Sequence, residues 1–384
     1  MMTRIRNYQW AISLGIMILI IFAPMLVMNL YVHHNNDFDL HIMFAESFKN
    51  GKGMPSFTLA HPAWQILVLG LSYIPFFSLR EAAFVTQIAG YLILAALLIR
   101  LQVQTIGKTG GISTIFFVIS LMLVTPIFLF VFSNGKYYLG YIGITTYHNP
   151  TINLLKPVAL LNFLMATDIL GKSTDIVKKS LVAGFATAIS LLIKPNLIIC
   201  LLPALGLLVI LFLLREKQIN WQLLIIGFIL PSMIILAWQY LLTYGEGGNV
   251  IFAPFAVMRL YSNHLLLNFI FSIWFPFWVA IAYLKEAKND LRMVFAWLIF
   301  GFGAVFTYLL AESGERFSDG NFIWCGEIAL FILFVVSALF FLKRFVAKKC
   351  RGTLEWIILL FGFTPHLVAG LIYYIYCLTN NNFI

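Results

Sequence analysis

Two carboxylates stand two residues apart beside a histidine in NNDFDLH, residues 35–41, and these groups are equipped for proton transfer or for holding a hard cation. Asp37 and Asp39 could each move a proton. Together they could hold a divalent ion such as Mg²⁺ or Mn²⁺. Their plain structural role would be to favour the N-terminus of a surface helix. Lys194, in IKPNL, lies between two apolar runs, where an ammonium is costly unless it snorkels or finds an anion. The stretch AESGERFSDGNFIW, residues 311–324, packs Glu312, Glu315, Arg316, Asp319 and Asn321 together. There Arg316 could grip a phosphate through its planar fork or anchor the loop by ion pairs. His61 in AHPAW and His148 in YHNP add polar groups that, taken singly, serve structure as readily as binding. Glu327, a turn and a half into the helix that follows, is a candidate buried partner.

The elements that position these groups follow from composition. Of 384 residues 61% are hydrophobic and only 10% charged, against about 25% in soluble proteins. Apolar runs near 20 residues recur, each long enough to cross a hydrocarbon core of about 30 Å. The expected fold is therefore all-α, a polytopic transmembrane helical protein in one domain spanning 1–384. The formal charge of +10 sits in short clusters between apolar runs, which marks inner loops and not a nucleic-acid surface. Cys200, Cys325, Cys350 and Cys377 have neither redox nor zinc spacing. The N-terminal apolar run, 10–31, lacks a small-residue cleavage site and reads as a retained helix.

Basic clusters at Arg4/Arg6, Arg100/Lys108, Lys172/Lys178/Lys179, Arg215/Lys217, Lys285/Lys288/Arg292 and 343–352 mark one side. The loops at 32–62, 134–150, 244–262 and 312–321 fall on the other. The run 181–214 would reach roughly 50 Å as one helix, so it must be a hairpin whose first helix ends at Pro195. The parity of crossings makes 63–99 a single bent passage. About 11 passages result: 10–31, 63–99, 113–133, 151–170, 180–193, 197–214, 221–243, 263–284, 293–311, 322–342 and 353–378. The N-terminus is then cytoplasmic and the chain sits in the cell membrane. Segment 38–50, with Phe38, Ile42 and Ala45 on one face, is expected to be an amphipathic juxtamembrane helix in the first outer loop.

An acidic DFD in the first outer loop, a juxtamembrane helix, an HP leading into the next helix, a KPN hairpin and a late polar outer loop together resemble the GT-C superfamily of membrane glycosyltransferases. The resemblance covers the layout of most of the chain through short motifs, and the soluble C-terminal domain of some members is absent. It implies transfer of a sugar from a polyprenyl-phosphate donor to an acceptor hydroxyl on the extracytoplasmic face. The acceptor would be a lipid-linked glycan, a polysaccharide or a protein. The resemblance implies that Asp39 or Asp37 takes the proton of the acceptor hydroxyl or binds a metal, with Asp39 preferred because it sits inside the expected helix turn and not at its fraying edge. Lys194 and Arg316 would serve the donor phosphate, and His148, His61, Glu312 and Asn321 would be further substrate contacts. The alternatives are an oligosaccharide repeat-unit polymerase or ligase, and a lipid-linked sugar flippase or secondary transporter. A transporter would place charges at mid-helix, where the sequence offers Arg80, Glu81 and Glu327.

Overall fold

In hydrocarbon a backbone amide has no partner outside its own chain, so the apolar runs fold as helices. The computed structural model describes residues 2–34, 36–107, 111–128, 140–170, 175–245 and 247–380. Residues 129–133 of the expected passage 113–133, residues 134–139 of the loop after it, Asn35, Lys108 and Lys172 lie outside the described residues. So do the side chains of Arg4 and Arg6.

Helix α1 (Met2–Val27) runs into a π-helical turn, Met28–Val32, and α2 (Asp37–Lys49) follows. Next come α3 (Ala63–Leu71), α4 (Leu79–Ile106), α5 (Ile112–Leu123), α6 (Pro150–Thr167), α7 (Ile176–Ile193) and α8 (Asn196–Leu213). The chain continues through α9 (Trp221–Tyr244), α10 (Leu265–Ala282), α11 (Leu291–Leu309), α12 (Ile323–Ala347) and α13 (Thr353–Thr379). Among the described residues nine helices, α1, α4 and α7 to α13, are long and apolar enough to cross a membrane. This is a multi-pass helical membrane protein. Helix α5 is apolar but has only 12 residues, and α6 is made more polar by Asn153, Lys156 and Asn162. The only strands among the described residues, β1 (Val250–Phe252) and β2 (Leu310–Glu312), pair antiparallel with Ile251 opposite Ala311.

Two expectations need correction. The passage expected over 63–99 is two helices, because residues 72–78 leave helical geometry and Phe76 takes a left-handed φ of 76°. Helix α4 then starts afresh on a capping box, Ser78 with Glu81. Arg80 and Glu81 consequently occupy the first turn of α4 and not mid-helix. The hairpin over 181–214 forms as expected, with α7 ending at Ile193 and Pro195 standing just before α8.

At the centre lies α12, whose residues from Cys325 to Phe341 are all buried. It packs against α4, α6, α8, α10 and α11. The tightest seam is with α11, where a Cβ on Gly303 would lie 2.7 Å from Ala329 Cβ and 2.8 Å from the Cys325 carbonyl oxygen. Loops gather at two ends. One joins 36–62, 140–149, 194–195, 247–262 and 310–322 with the adjoining helix ends, through contacts such as Asn149 with Asp37, Gln239 of α9 with the Ala60 carbonyl, and Asn196 of α8 with the Asn321 carbonyl. The other carries most of the basic clusters, with ion pairs Lys179–Asp168 and Lys348–Glu355.

Candidate functional site

Helix α2 supplies the two acids. Asn36 caps it, its side chain accepting the Asp39 amide at 3.1 Å, and Phe38, Ile42, Phe44 and Ala45 bury one face. Trp64 of α3 meets Phe38 edge-on at 6.3 Å. Residues two apart on a helix point about 200° away from each other, and the acids accordingly find different partners. Asp39 Oδ1 accepts from Arg80 Nη2 at 2.9 Å. The other branch of that guanidinium donates to the Leu30 carbonyl in the π-helical turn. Asp37 Oδ2 instead accepts from Asn149 Nδ2 at 2.7 Å. Asn149 Oδ1 accepts from Thr151 Oγ1 at 2.8 Å, and Thr151 Oγ1 accepts from Lys194 Nζ at 3.3 Å. One polar chain thus links the first acid to the hairpin lysine, while the second acid is spent on Arg80. The two carboxylates are held by different elements, Asp37 by Asn149 and Asp39 by Arg80.

Lys194 is held at the break between α7 and α8 with extended backbone, buried, and its ammonium lies 4.9 Å from the centre of the Trp324 ring. His148 lies 6.0 Å from the same ring and shares a hydrogen bond of 3.0 Å with Thr146 Oγ1. Burial pushes the Lys194 ammonium down to about 8, and the nearby Asp37 carboxylate opposes that shift. Burial and then the Lys194 charge push His61 down to about 4. His41, held by Gln65 Nε2 at 2.7 Å, falls to about 3, through burial and then through Lys194 and His61. His148 is lowered by burial while Asp37 pulls it back up. At neutral pH these imidazoles are uncharged hydrogen-bonding groups around one ammonium.

A cavity of about 320 Å³ opens beside them and brings together Lys194, His61, Arg316, Glu312 and Asn321. Ile199 of α8 and Leu236 of α9 give it an apolar wall. Glu312 is buried and accepts from Tyr244 Oη at 2.7 Å, from Asn321 Nδ2, and from Arg316 Nη2 at 3.3 Å. Arg316 also reaches Asp319 at 3.6 Å and stacks on Phe57 with 5.3 Å to the ring centre. Its role is therefore split. Two nitrogens anchor the loop, while Nη1 is buried with no hydrogen-bond partner among the described residues, as is Nδ1 of His61. Buried polar atoms in native proteins are normally satisfied, and these two, beside an ammonium, are groups that could meet an anionic or hydroxyl-rich ligand.

Five of the residues singled out in the sequence line this cavity. Asp37 and His148 adjoin it through Lys194, and Asp39 does not. Sequence reasoning missed Thr151, Trp324 and the cavity residues Gln239 and Tyr244, and it named His41 beside the two acids without giving it a role. Gln239, an amide inside an apolar helix, carried a usable signal, because such groups are expensive in hydrocarbon. The link from Asn149 to Asp37 spans 112 positions and had none. No protein-family model matches the chain, and a search of curated proteins returns no match.

Proposed function

We propose that the chain is an integral-membrane glycosyltransferase of the GT-C kind that moves a sugar from a polyprenyl-phosphate donor to an acceptor hydroxyl. The observation that carries this is the cavity where Lys194, Arg316 and His61 converge, joined through Thr151 and Asn149 to the carboxylate of Asp37. Asp37 takes the proton of the acceptor hydroxyl while that oxygen forms its bond to the anomeric carbon. The bond from the anomeric carbon to the phosphate oxygen breaks, and the electron pair leaves on the phosphate. The Lys194 ammonium and Nη1 of Arg316 neutralise the charge that develops there. Neutral His61 and His148 hydrogen-bond to phosphate or sugar oxygens. The apolar wall at Ile199 and Leu236 takes the first isoprene units, and the rest of the tail lies in lipid. A single displacement at that carbon inverts its configuration. With α5 and α6 also crossing, the passages number about 11, as the spacing of apolar runs suggests. The cationic clusters are then cytoplasmic and the cavity extracytoplasmic.

The test is transfer of radiolabelled sugar from a polyprenyl-phosphate donor in membranes holding equal amounts of wild type, Asp37→Asn and Asp39→Asn. The expected result is a loss of roughly a hundredfold or more for Asp37→Asn, the scale of a lost general base, with most activity kept by Asp39→Asn. Full transfer by Asp37→Asn would remove the assigned base. A wild type that transfers nothing while labelled lipid-linked sugar crosses the bilayer would make the chain a transporter.

A further inference from the structure

At the opposite end of the bundle a second cavity, of about 480 Å³, is formed mainly by residues of α4, α6, α7 and α11, with Leu223 of α9. Its rim carries Arg100 from α4, Lys178 and Lys179 from α7 and Arg292 from α11, against Asp168 and Asp175. Lys179 and Asp168 pair at 3.1 Å. Among the described residues Arg100, Lys178 and Arg292 form no ion pair, and all three are exposed. The rim is therefore positive after its own pairing is complete.

Beneath the rim the lining turns apolar in a regular way. Leu97 lies three residues before Arg100, Val182 four after Lys178, and Leu164 four before Asp168 with Leu161 three further back. Side chains three or four apart share a helix face, so Arg100 on α4 and Lys178 on α7 each stand over an apolar position, as does Asp168 just past the end of α6. The cavity thus has a cationic mouth and a hydrocarbon wall running into the bundle. A free phosphate would use only the mouth, whereas an amphiphile uses both.

We infer that this cavity is a binding site for an anionic glycerophospholipid. Its phosphate sits among Arg100, Lys178 and Arg292, and the upper part of an acyl chain lies along Leu97, Leu161, Leu164 and Val182. Charge complementarity selects an anionic headgroup, since basic side chains at a membrane surface attract acidic lipids. The site is separate from the glycosyl-transfer cavity and does not depend on that assignment.

The full chain, purified in detergent and stripped of lipid, would be titrated with phosphatidylglycerol and with phosphatidylcholine of the same acyl chains. Bound lipid would be counted by native mass spectrometry. Phosphatidylglycerol should bind roughly tenfold tighter or more. Arg100→Gln/Arg292→Gln should lose that preference, and Arg100→Lys/Arg292→Lys should keep it. Lys285→Gln/Lys343→Gln, on another basic surface, should also keep it. Thermal unfolding without lipid identifies any variant that fails to fold, and if the Gln pair does, Lys178→Gln carries the test, since it should weaken the preference and an unchanged preference there would overturn the assignment. Equal affinity for the two lipids would overturn the assignment, as would an unchanged preference in Arg100→Gln/Arg292→Gln. Displacement of the lipid by glycerol 3-phosphate would show a site for soluble phosphoesters and would overturn it as well.

Discussion

Asp37 and Asp39 share one helix turn, yet their neighbours give them different work. Spacing alone favours Asp39 because it is deeper in the turn, but the helical twist aims it at Arg80 and aims Asp37 at Asn149. The residue types were legible in the sequence; the division of labour was not, because it depends on which distant groups face each side of α2. Asp39→Asn should therefore leave chemistry largely intact and lower stability by about 1 kcal/mol or less, since its partner is partly exposed and such pairs are weak. A double-mutant cycle with Arg80→Ala, read by thermal unfolding in detergent, measures that coupling. Lys194 carries a pH signature. On the proposed function its ammonium is the form that would meet the donor phosphate, and burial lowers it from its ordinary 10.5 to about 8. Donor affinity should thus be full below pH 7 and fall as pH rises through 8, seen as a rising donor KM. Lys194→Arg, whose guanidinium stays charged, should flatten that profile up to pH 9.5 if it still binds donor. A KM unchanged between pH 7 and 9.5 in wild type would remove Lys194 from the phosphate.

Among the elements, helix positions were readable wherever an apolar run met a clear stop. The hairpin of α7 and α8 is the plainest case, with Pro195 and a length the bilayer cannot accept. The stretch 63–99 misled because parity counts crossings and not helices. The Ser78–Glu81 capping signature that starts α4 was present in the sequence and outweighs the continuity of the apolar pattern. Internal prolines at 24, 157, 203 and 276 end no helix, as packed helices in a membrane can re-satisfy the freed carbonyls. The seam between α11 and α12 is a matter of three-dimensional contact that no periodicity reveals. Gly303→Val should force these helices apart and cost about 1–3 kcal/mol, the usual penalty of overpacking. Gly301→Val, which meets open space, is the control. Thermal unfolding of both proteins in detergent distinguishes them.

Over the whole molecule, the sorting of loops by charge and their sorting by contact coincide. Acidic and neutral loops meet around the candidate cavity, and most basic ones gather opposite. Cys350, exposed among the basic residues after α12, reports on this arrangement, since Cys200, Cys325 and Cys377 are buried. In sealed right-side-out vesicles an impermeant maleimide should leave Cys350 unlabelled until detergent is added. Ser318→Cys, placed in a Cys350→Ser background on the cavity end, should label at once. The reverse pattern would invert the topology and place the cavity on the cytoplasmic side. Helix α12 raises a question of another kind, which is the order of assembly. Five of its neighbours, α4, α6, α8, α10 and α11, precede it in the chain, and α13, which meets it through Phe363 and His366 on Phe334, follows. As synthesis proceeds these five are made before the helix they flank, so the central contacts of the bundle form only once α12 has followed them. The core therefore closes late, and a ribosome stalled before residue 323 would hold helices that still lack their shared partner.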